Sequence, residues 1–159
     1  MKAQSNTSKF YIPQLKLDSG ETLDDVEVAY TTNGILSESG DNPILIFHAL
    51  TGSHMLAGQF TKNDNPGIPW NEELEIGWWS DFVGPNKIID TNDYFVICAN
   101  YLGGCYGSTG PNSPEYSKNK KFPEITFVDI ENTQKQLLDY LGVETLSAVI
   151  GPSIGGLMA

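Results

Sequence analysis

The chain has 159 residues, with 20 acidic against 9 basic side chains and a formal net charge of −11. With 40% hydrophobic and 18% charged residues it has globular composition, neither disordered nor collagen-like. The acidity argues against a nucleic-acid partner, which needs a basic stripe, and no apolar run approaches the ~20 residues of a bilayer span.

The length suits a single domain that buries about two-thirds of its unfolded surface. The segment MKAQSNTSKF shows no apolar stretch of a secretory leader, and two cysteines make no disulfide scaffold, so a cytoplasmic location and no membrane partner are expected. Lys118, Lys120 and Lys121 form the one local basic cluster and read as a solvated loop.

In chain order, residues 1–24 read as a polar arm with a first strand around Phe10–Leu17. Val26–Tyr30 alternates apolar and polar, as a half-buried strand does. Asn33–Asn42, with Gly, Ser and Asp, reads as a turn. Pro43–Leu50 is a continuous apolar run, the pattern of a strand buried on both faces of a helix-covered parallel sheet. Tyr94–Ala99 and Leu146–Ile150 are two more. The span 51–92, rich in Gly, Pro, Asn and Trp, is too long for a plain connection and reads as functional or lid-like.

A helix is predicted over 127–141. Ile130, Thr133, Gln134, Leu137, Leu138 and Leu141 fall on one helical stripe. Thr126 and Asp129 have the spacing of a capping box, and Gly142 follows as the terminating glycine. Strand, helix 127–141 and strand 146–150 make a βαβ unit, so the expected class is α/β with a mostly parallel central sheet.

Gly151-Pro152-Ser153-Ile154-Gly155 follows the last strand and matches G-x-S-x-G, the nucleophile elbow. The spacing has a physical basis: a serine on a strained strand-to-helix turn needs small neighbours where the backbone closes tightly. Such a turn lifts the Ser153 hydroxyl clear of the sheet and aims the Ile154 amide at a developing oxyanion. The alternative is an ordinary glycine-rich turn, and position after a buried strand favours the elbow.

An acyl-transfer site needs a second amide on the oxyanion, and the loop after an earlier strand is its usual source. In His48-Ala49-Leu50-Thr51-Gly52 the candidate is the Leu50 amide. His48 reads as a packed histidine bonded to backbone, in preference to a base. His48 and His54 have no partners at metal-ligand spacing, so no metal is expected. Asn100–Pro111 resembles a phosphate loop but lacks the G-K-[ST] ending and reads as a shaped loop near the strand ends. Cys98 reads as a buried thiol and Cys105 as a loop thiol.

Taken together, His48–Gly52, Gly77-Trp78-Trp79, Gly84-Pro85-Asn86-Lys87 with Asp90-Thr91, Asn100–Pro111 and Gly151–Gly156 resemble the homoserine O-acetyltransferases of the α/β-hydrolase fold, in the same order. The resemblance runs from about Leu15 to Ala159, and its Leu-Gly-Gly-Cys-x-Gly-Ser-Thr-Gly-Pro segment is more diagnostic than G-x-S-x-G. Pro152 and Ile154 depart from the commonest Gly and Met.

The resemblance implies that Ser153 attacks the thioester of acetyl-CoA and that the acyl group passes to the hydroxyl of L-homoserine, for methionine synthesis. Leu50 and Ile154 amides would hold the oxyanion, and acetyl-CoA would be a co-substrate with no resident cofactor. In that fold the triad runs Ser, Asp, His. His48 and His54 both precede Ser153, so the chain reads as the N-terminal part of a single α/β-hydrolase domain, cut after the elbow. The lid and the triad Asp and His are expected beyond Ala159, the fragment is expected to be inactive alone, and the full-length parent is a candidate homodimer. Alternatives left open are a serine esterase, an O-acyltransferase using succinyl-CoA or L-serine, and a non-catalytic binding module.

Overall fold

The computed structural model describes residues 6–116 and 121–159. Of the basic cluster, Lys121 is exposed, while Lys118 and Lys120 lie outside the described residues. β1 (Ser8–Lys16) and β2 (Thr22–Asn33) form a long antiparallel hairpin in which Ile12 faces Val26 and Leu15 faces Leu23. Both strands outrun the alternating segments that signal them. Ala29 is buried along with Val28 and Tyr30, because Ser108 of a later loop accepts a hydrogen bond from its amide.

β3 (Pro43–Ile46), β6 (Phe95–Ala99) and β7 (Ala148–Ile150) complete a five-stranded sheet of order β1-β2-β6-β3-β7. β6, β3 and β7 run parallel, with Ile44 opposite both Val96 and Ala148. Their carboxyl ends therefore share one edge, the usual place for a site in an open α/β sheet.

The apolar runs of β3 and β6 serve two cores at once. Leu45, Phe95 and Ile97 join the hairpin and α1 (Phe127–Tyr140) on one face, while Ile44, Ile46, Val96 and Cys98 pack on the other. That second face is covered by the long span 51–92. Leu56, Ala57 and Val83 are buried there against Trp78 and Trp79, and Ser53–Phe60 is almost wholly enclosed. The lid-like expectation is corrected on this point, since the apolar residues of the span are spent on covering the sheet. Its regular structure is slight: a 3₁₀ turn (Glu72–Glu75) and a two-stranded parallel pair, β4 (Val83–Gly84) with β5 (Ile89–Asp90).

Helix α1 carries both halves of its capping box. The Thr126 side chain accepts from the Asp129 amide, and the Asp129 carboxylate accepts from the Thr126 amide at 2.9 Å. Asp129 also accepts from the amide of Asp18 at 2.7 Å, tying the helix start to the β1–β2 turn. Gly142 follows the helix at φ +73, the left-handed end that glycine favours.

Two further expectations change. The run Pro43–Leu50 leaves the sheet after Ile46, although Phe47 still donates to the Ile150 carbonyl at 2.9 Å. β7 is half-buried and not enclosed on both faces, with Val149 39% exposed. Among the described residues it pairs only with β3, and the helix after it, α2 (Gly155–Met158), is a single turn.

Candidate active site

Ser153 stands at φ +55, a left-handed conformation that costs a non-glycine residue about 1–2 kcal/mol. Its neighbours enforce the turn by lacking side chains. A Cβ at Gly151 would lie 2.2 Å from the carbonyl carbon of Gly155, and one at Gly155 would lie 2.4 Å from the carbonyl oxygen of Phe47. The turn closes with Gly155 N–H to Pro152 O and Gly156 N–H to Ser153 O, both 3.0 Å. Ser153 is exposed, and its hydroxyl has no protein partner among the described residues.

The Gly155 contact places the elbow directly against the end of β3. There the chain turns at Ala49–Gly52, closed by Gly52 N–H to Ala49 O at 2.8 Å, with Leu50 at the tip. Leu50 is 73% exposed. Among the described residues, neither the Leu50 amide nor the Ile154 amide donates a hydrogen bond to protein. Two free N–H groups thus stand on the adjoining loops that follow β3 and β7.

His48 is packed between these loops. Its Nδ1 lies 2.7 Å from the carbonyl of Ala49, its ring stacks on Tyr101 with centroids 3.7 Å apart, and Tyr101 donates its hydroxyl proton to the His48 carbonyl. Burial pushes its pKa down to about 4. His54 is also enclosed, with Nε2 2.9 Å from the Thr7 hydroxyl, and burial with neighbouring His48 pushes it down to about 3. Both rings are neutral at physiological pH. Among the described residues no group of three His, Cys, Asp or Glu could hold a metal ion.

The glycine-rich loop after β6 uses its hydroxyls internally. Ser108 donates to Asn100 O, Thr109 Oγ1 accepts from the Glu27 amide, and Thr109 N–H donates to Glu27 O. These bonds fasten it to β2, as a shaped loop. Cys105 is exposed, whereas Cys98 is enclosed and its thiol pKa is pushed up by burial.

Two residues of this loop that sequence reasoning passed over, Asn100 and Tyr101, help wall a cavity of about 410 Å³ with His48, Leu50, Cys105 and Ile130. The signal is Asn100-Tyr101, the polar-aromatic pair directly after the buried run of β6. A larger open cleft of about 900 Å³ lies by the hairpin, between Lys9, Asp24, Glu27 and Tyr116, and includes no elbow residue. The smaller one likewise includes no elbow residue, but it includes Leu50.

This arrangement can support acyl transfer: an exposed serine on a strained turn beside two unengaged amides. Residues 42–159 match the family model described as alpha/beta hydrolase fold. A homoserine O-acetyltransferase of Deferribacter desulfuricans is 47% identical over 146 residues, covering 89% of this chain and 36% of that protein. The chain thus spans little more than a third of that relative's length. Among solved structures, a homoserine O-acetyltransferase from Bacillus anthracis superposes with a TM-score of 0.82 at 34% identity, covering 99% of this chain and 42% of the other. A crystallised esterase gives the same TM-score and identity over 98% of this chain and 43% of its own. The resemblance to homoserine O-acetyltransferases seen in the motifs is thereby borne out.

Proposed function

Because the chain belongs to the alpha/beta hydrolase fold family, we propose that it carries the nucleophile half of an acyltransferase that moves an acetyl group from acetyl-CoA to the hydroxyl of L-homoserine, a step of methionine synthesis. The observation that carries this reading is Ser153 at φ +55, between glycines that leave no room for a Cβ. The relatives' names support homoserine as acceptor and an acetyl group as cargo, and acetyl-CoA as its donor belongs to the proposal.

In this mechanism Ser153 gives its hydroxyl proton to the base as its oxygen attacks the thioester carbon, the carbonyl oxygen takes the negative charge, and the Leu50 and Ile154 amides hold it. Collapse expels the thiolate of CoA, which takes a proton from the general acid, and leaves an acyl-serine. The homoserine hydroxyl then gives up its proton to the base and attacks the acyl carbon, and collapse frees Ser153, whose oxygen takes that proton from the base. His48 and His54 do not fit the base, being buried and engaged with Ala49 and Thr7. The reading therefore takes the base and its orienting acid from outside residues 1–159, as the family order Ser, Asp, His implies. Residues 1–159 alone are then expected to be inactive, and the longer protein is the species to assay. A cytoplasmic location and a homodimeric parent accompany this proposal.

A second reading, a serine esterase, is favoured by the equal superposition on the crystallised esterase. It uses the same acyl-serine with water as acceptor. The deciding experiment mixes the longer protein with acetyl-CoA and looks by mass spectrometry for an acetyl adduct on the Ser153 peptide, then adds L-homoserine, L-serine or buffer alone. O-Acetylhomoserine as the main product supports the transferase, and acetate whether or not homoserine is present supports the esterase. Succinyl-CoA in parallel tests the donor. Ser153→Ala should lose about 10⁴-fold or more in turnover, and full activity in that variant would remove both readings.

A further inference from the structure

The peptide unit between Ala49 and Leu50 is held by its carbonyl. That oxygen accepts two hydrogen bonds, from Nδ1–H of His48 at 2.7 Å and from the Gly52 amide at 2.8 Å. A carbonyl oxygen has two lone pairs, so both are used. In a trans peptide the N–H points opposite to the C=O, and no peptide bond among the described residues is cis. The Leu50 N–H is therefore turned away from both donors, at the exposed tip of the turn, where it donates to no protein group among the described residues. A peptide plane rotates through the soft torsions on either side of it, so its direction depends on what holds the carbonyl. His48 is itself well anchored. Its ring stacks on Tyr101, whose hydroxyl donates to the His48 carbonyl. A Cβ on Gly52 would lie 3.0 Å from the His48 Cβ, so the turn packs against the base of that side chain.

Packing alone does not explain a histidine at this position. The Ala49 carbonyl only accepts, so Nδ1 carries the ring proton and Nε2 keeps a bare lone pair. That Nε2 is enclosed and has no partner among the described residues. A buried polar atom without a partner lowers stability. Leucine or phenylalanine would pack on Tyr101 without that penalty. What the imidazole does and they cannot do is donate to Ala49.

We infer that His48 is a positioning residue for acyl transfer: through the Ala49 carbonyl it holds the Leu50 N–H outward for a developing oxyanion, without touching substrate itself. The inference rests on the acyl-transfer reading for what the amide does, and goes beyond it in saying what aims the amide. The contact exists before any ligand binds, so the donor is preorganised and needs no reorientation as charge develops.

The test compares His48→Asn with His48→Gln. Asparagine places an N–H close to where Nδ1 stands, whereas glutamine carries its N–H one bond further, close to Nε2. Both put a polar amide in the same enclosed space, so a loss common to both reports packing and a difference between them reports the bond to Ala49. Ala49-Leu50 is the one Ala-Leu step in the 159-residue sequence. Labelling alanine with ¹³C at the carbonyl and leucine with ¹⁵N therefore marks this single peptide unit for NMR. In the 159-residue chain, His48→Gln should move the Ala49 carbonyl resonance upfield and change the residual dipolar coupling of the Leu50 N–H, and His48→Asn should leave both near their original values. In the longer protein, His48→Gln should lower kcat about tenfold, part of what a whole oxyanion donor supplies, with KM nearly unchanged. His48→Asn should stay within about threefold of the original kcat. One measurement needs no variant: with ¹⁵N-histidine, His48 Nδ1 should resonate as a protonated ring nitrogen and Nε2 as a bare one, and the reverse would overturn the inference. So would an unmoved Ala49-Leu50 unit in folded His48→Gln, or equal, measurable turnover in the two variants. If the peptide unit responds as expected and the unsubstituted longer protein transfers no acetyl group, the functional reading fails alone. If transfer occurs and the two variants match in both measurements, the positioning role fails alone.

Discussion

The carbonyl oxygen of Phe47 occupies the space where a side chain on Gly155 would begin, 2.4 Å from the position of its Cβ. This contact holds the elbow against the end of β3 and sets the distance between the serine turn and the Leu50 turn. Gly155→Ala is expected to cost about 3 kcal/mol, since the obstructing atom is backbone and the strand cannot yield. Gly142→Ala is the comparison: it too introduces a Cβ, at φ +73 but into open space, and should cost about 1 kcal/mol. Urea titration of both variants measures the difference, and equal midpoints would show that the contact does not constrain the elbow.

Ser153 keeps its left-handed backbone at the expense of stability. Ser153→Gly should be more stable than Ser153→Ala by about 1 kcal/mol, because glycine adopts φ +55 without a Cβ penalty. Both should be inactive in the longer protein. A glycine variant no more stable than the alanine variant would mean the turn relaxes when the hydroxyl is gone.

The Ile154 amide is the second element to test. Ile154 has φ −57, which a proline ring fits, so Ile154→Pro deletes the N–H without contesting that residue's own φ. In the longer protein it should lower kcat by about 10²–10³, the usual loss for one oxyanion donor. Ile154→Met keeps the amide and nearly the volume, and should retain most activity. Equal rates in the two variants would place the donor elsewhere.

Acid should weaken the fold through its histidines. His48 and His54 titrate at about 4 and about 3 when folded, against 6.5 when unfolded. Below pH 6.5 the unfolded chain therefore binds protons that the folded chain refuses. Stability is fully present above about pH 6.5 and falls as pH drops toward 4 and then 3, by up to about 1.4 kcal/mol per pH unit for each histidine. The urea midpoint should fall between pH 7 and pH 5, before carboxylates titrate appreciably, and a flat midpoint over that interval would mean that both rings take up protons in the folded state as readily as in the unfolded one.

Much of this was legible in the sequence wherever one residue's chemistry decides the local structure. Thr126, Asp129 and Gly142 marked the helix because capping is local, and Ser153 with its glycines marked the elbow because only certain residues permit it. What stayed hidden depends on distant partners. The Asp129 carboxylate also accepts from the amide of Asp18, far along the chain, a contact its local spacing does not announce. The apolar residues of 51–92 read as a loop because their partners, Ile44, Ile46 and Val96, lie on other strands. The exposure of Leu50 was hidden by its neighbours, since a buried run continues in hydropathy past the point where the backbone leaves the sheet.

The strand order has a consequence for how the chain comes off the ribosome. β3 sits between β6 and β7, and Ile44 pairs with Ala148. At about 5–20 residues per second, β3 waits some 5–20 s after synthesis for its partner on that side. Loop-closure entropy makes such non-local pairings slow even after both strands exist. For that interval the β7-facing edge of Pro43–Ile46 is an open template on which another nascent chain can pair.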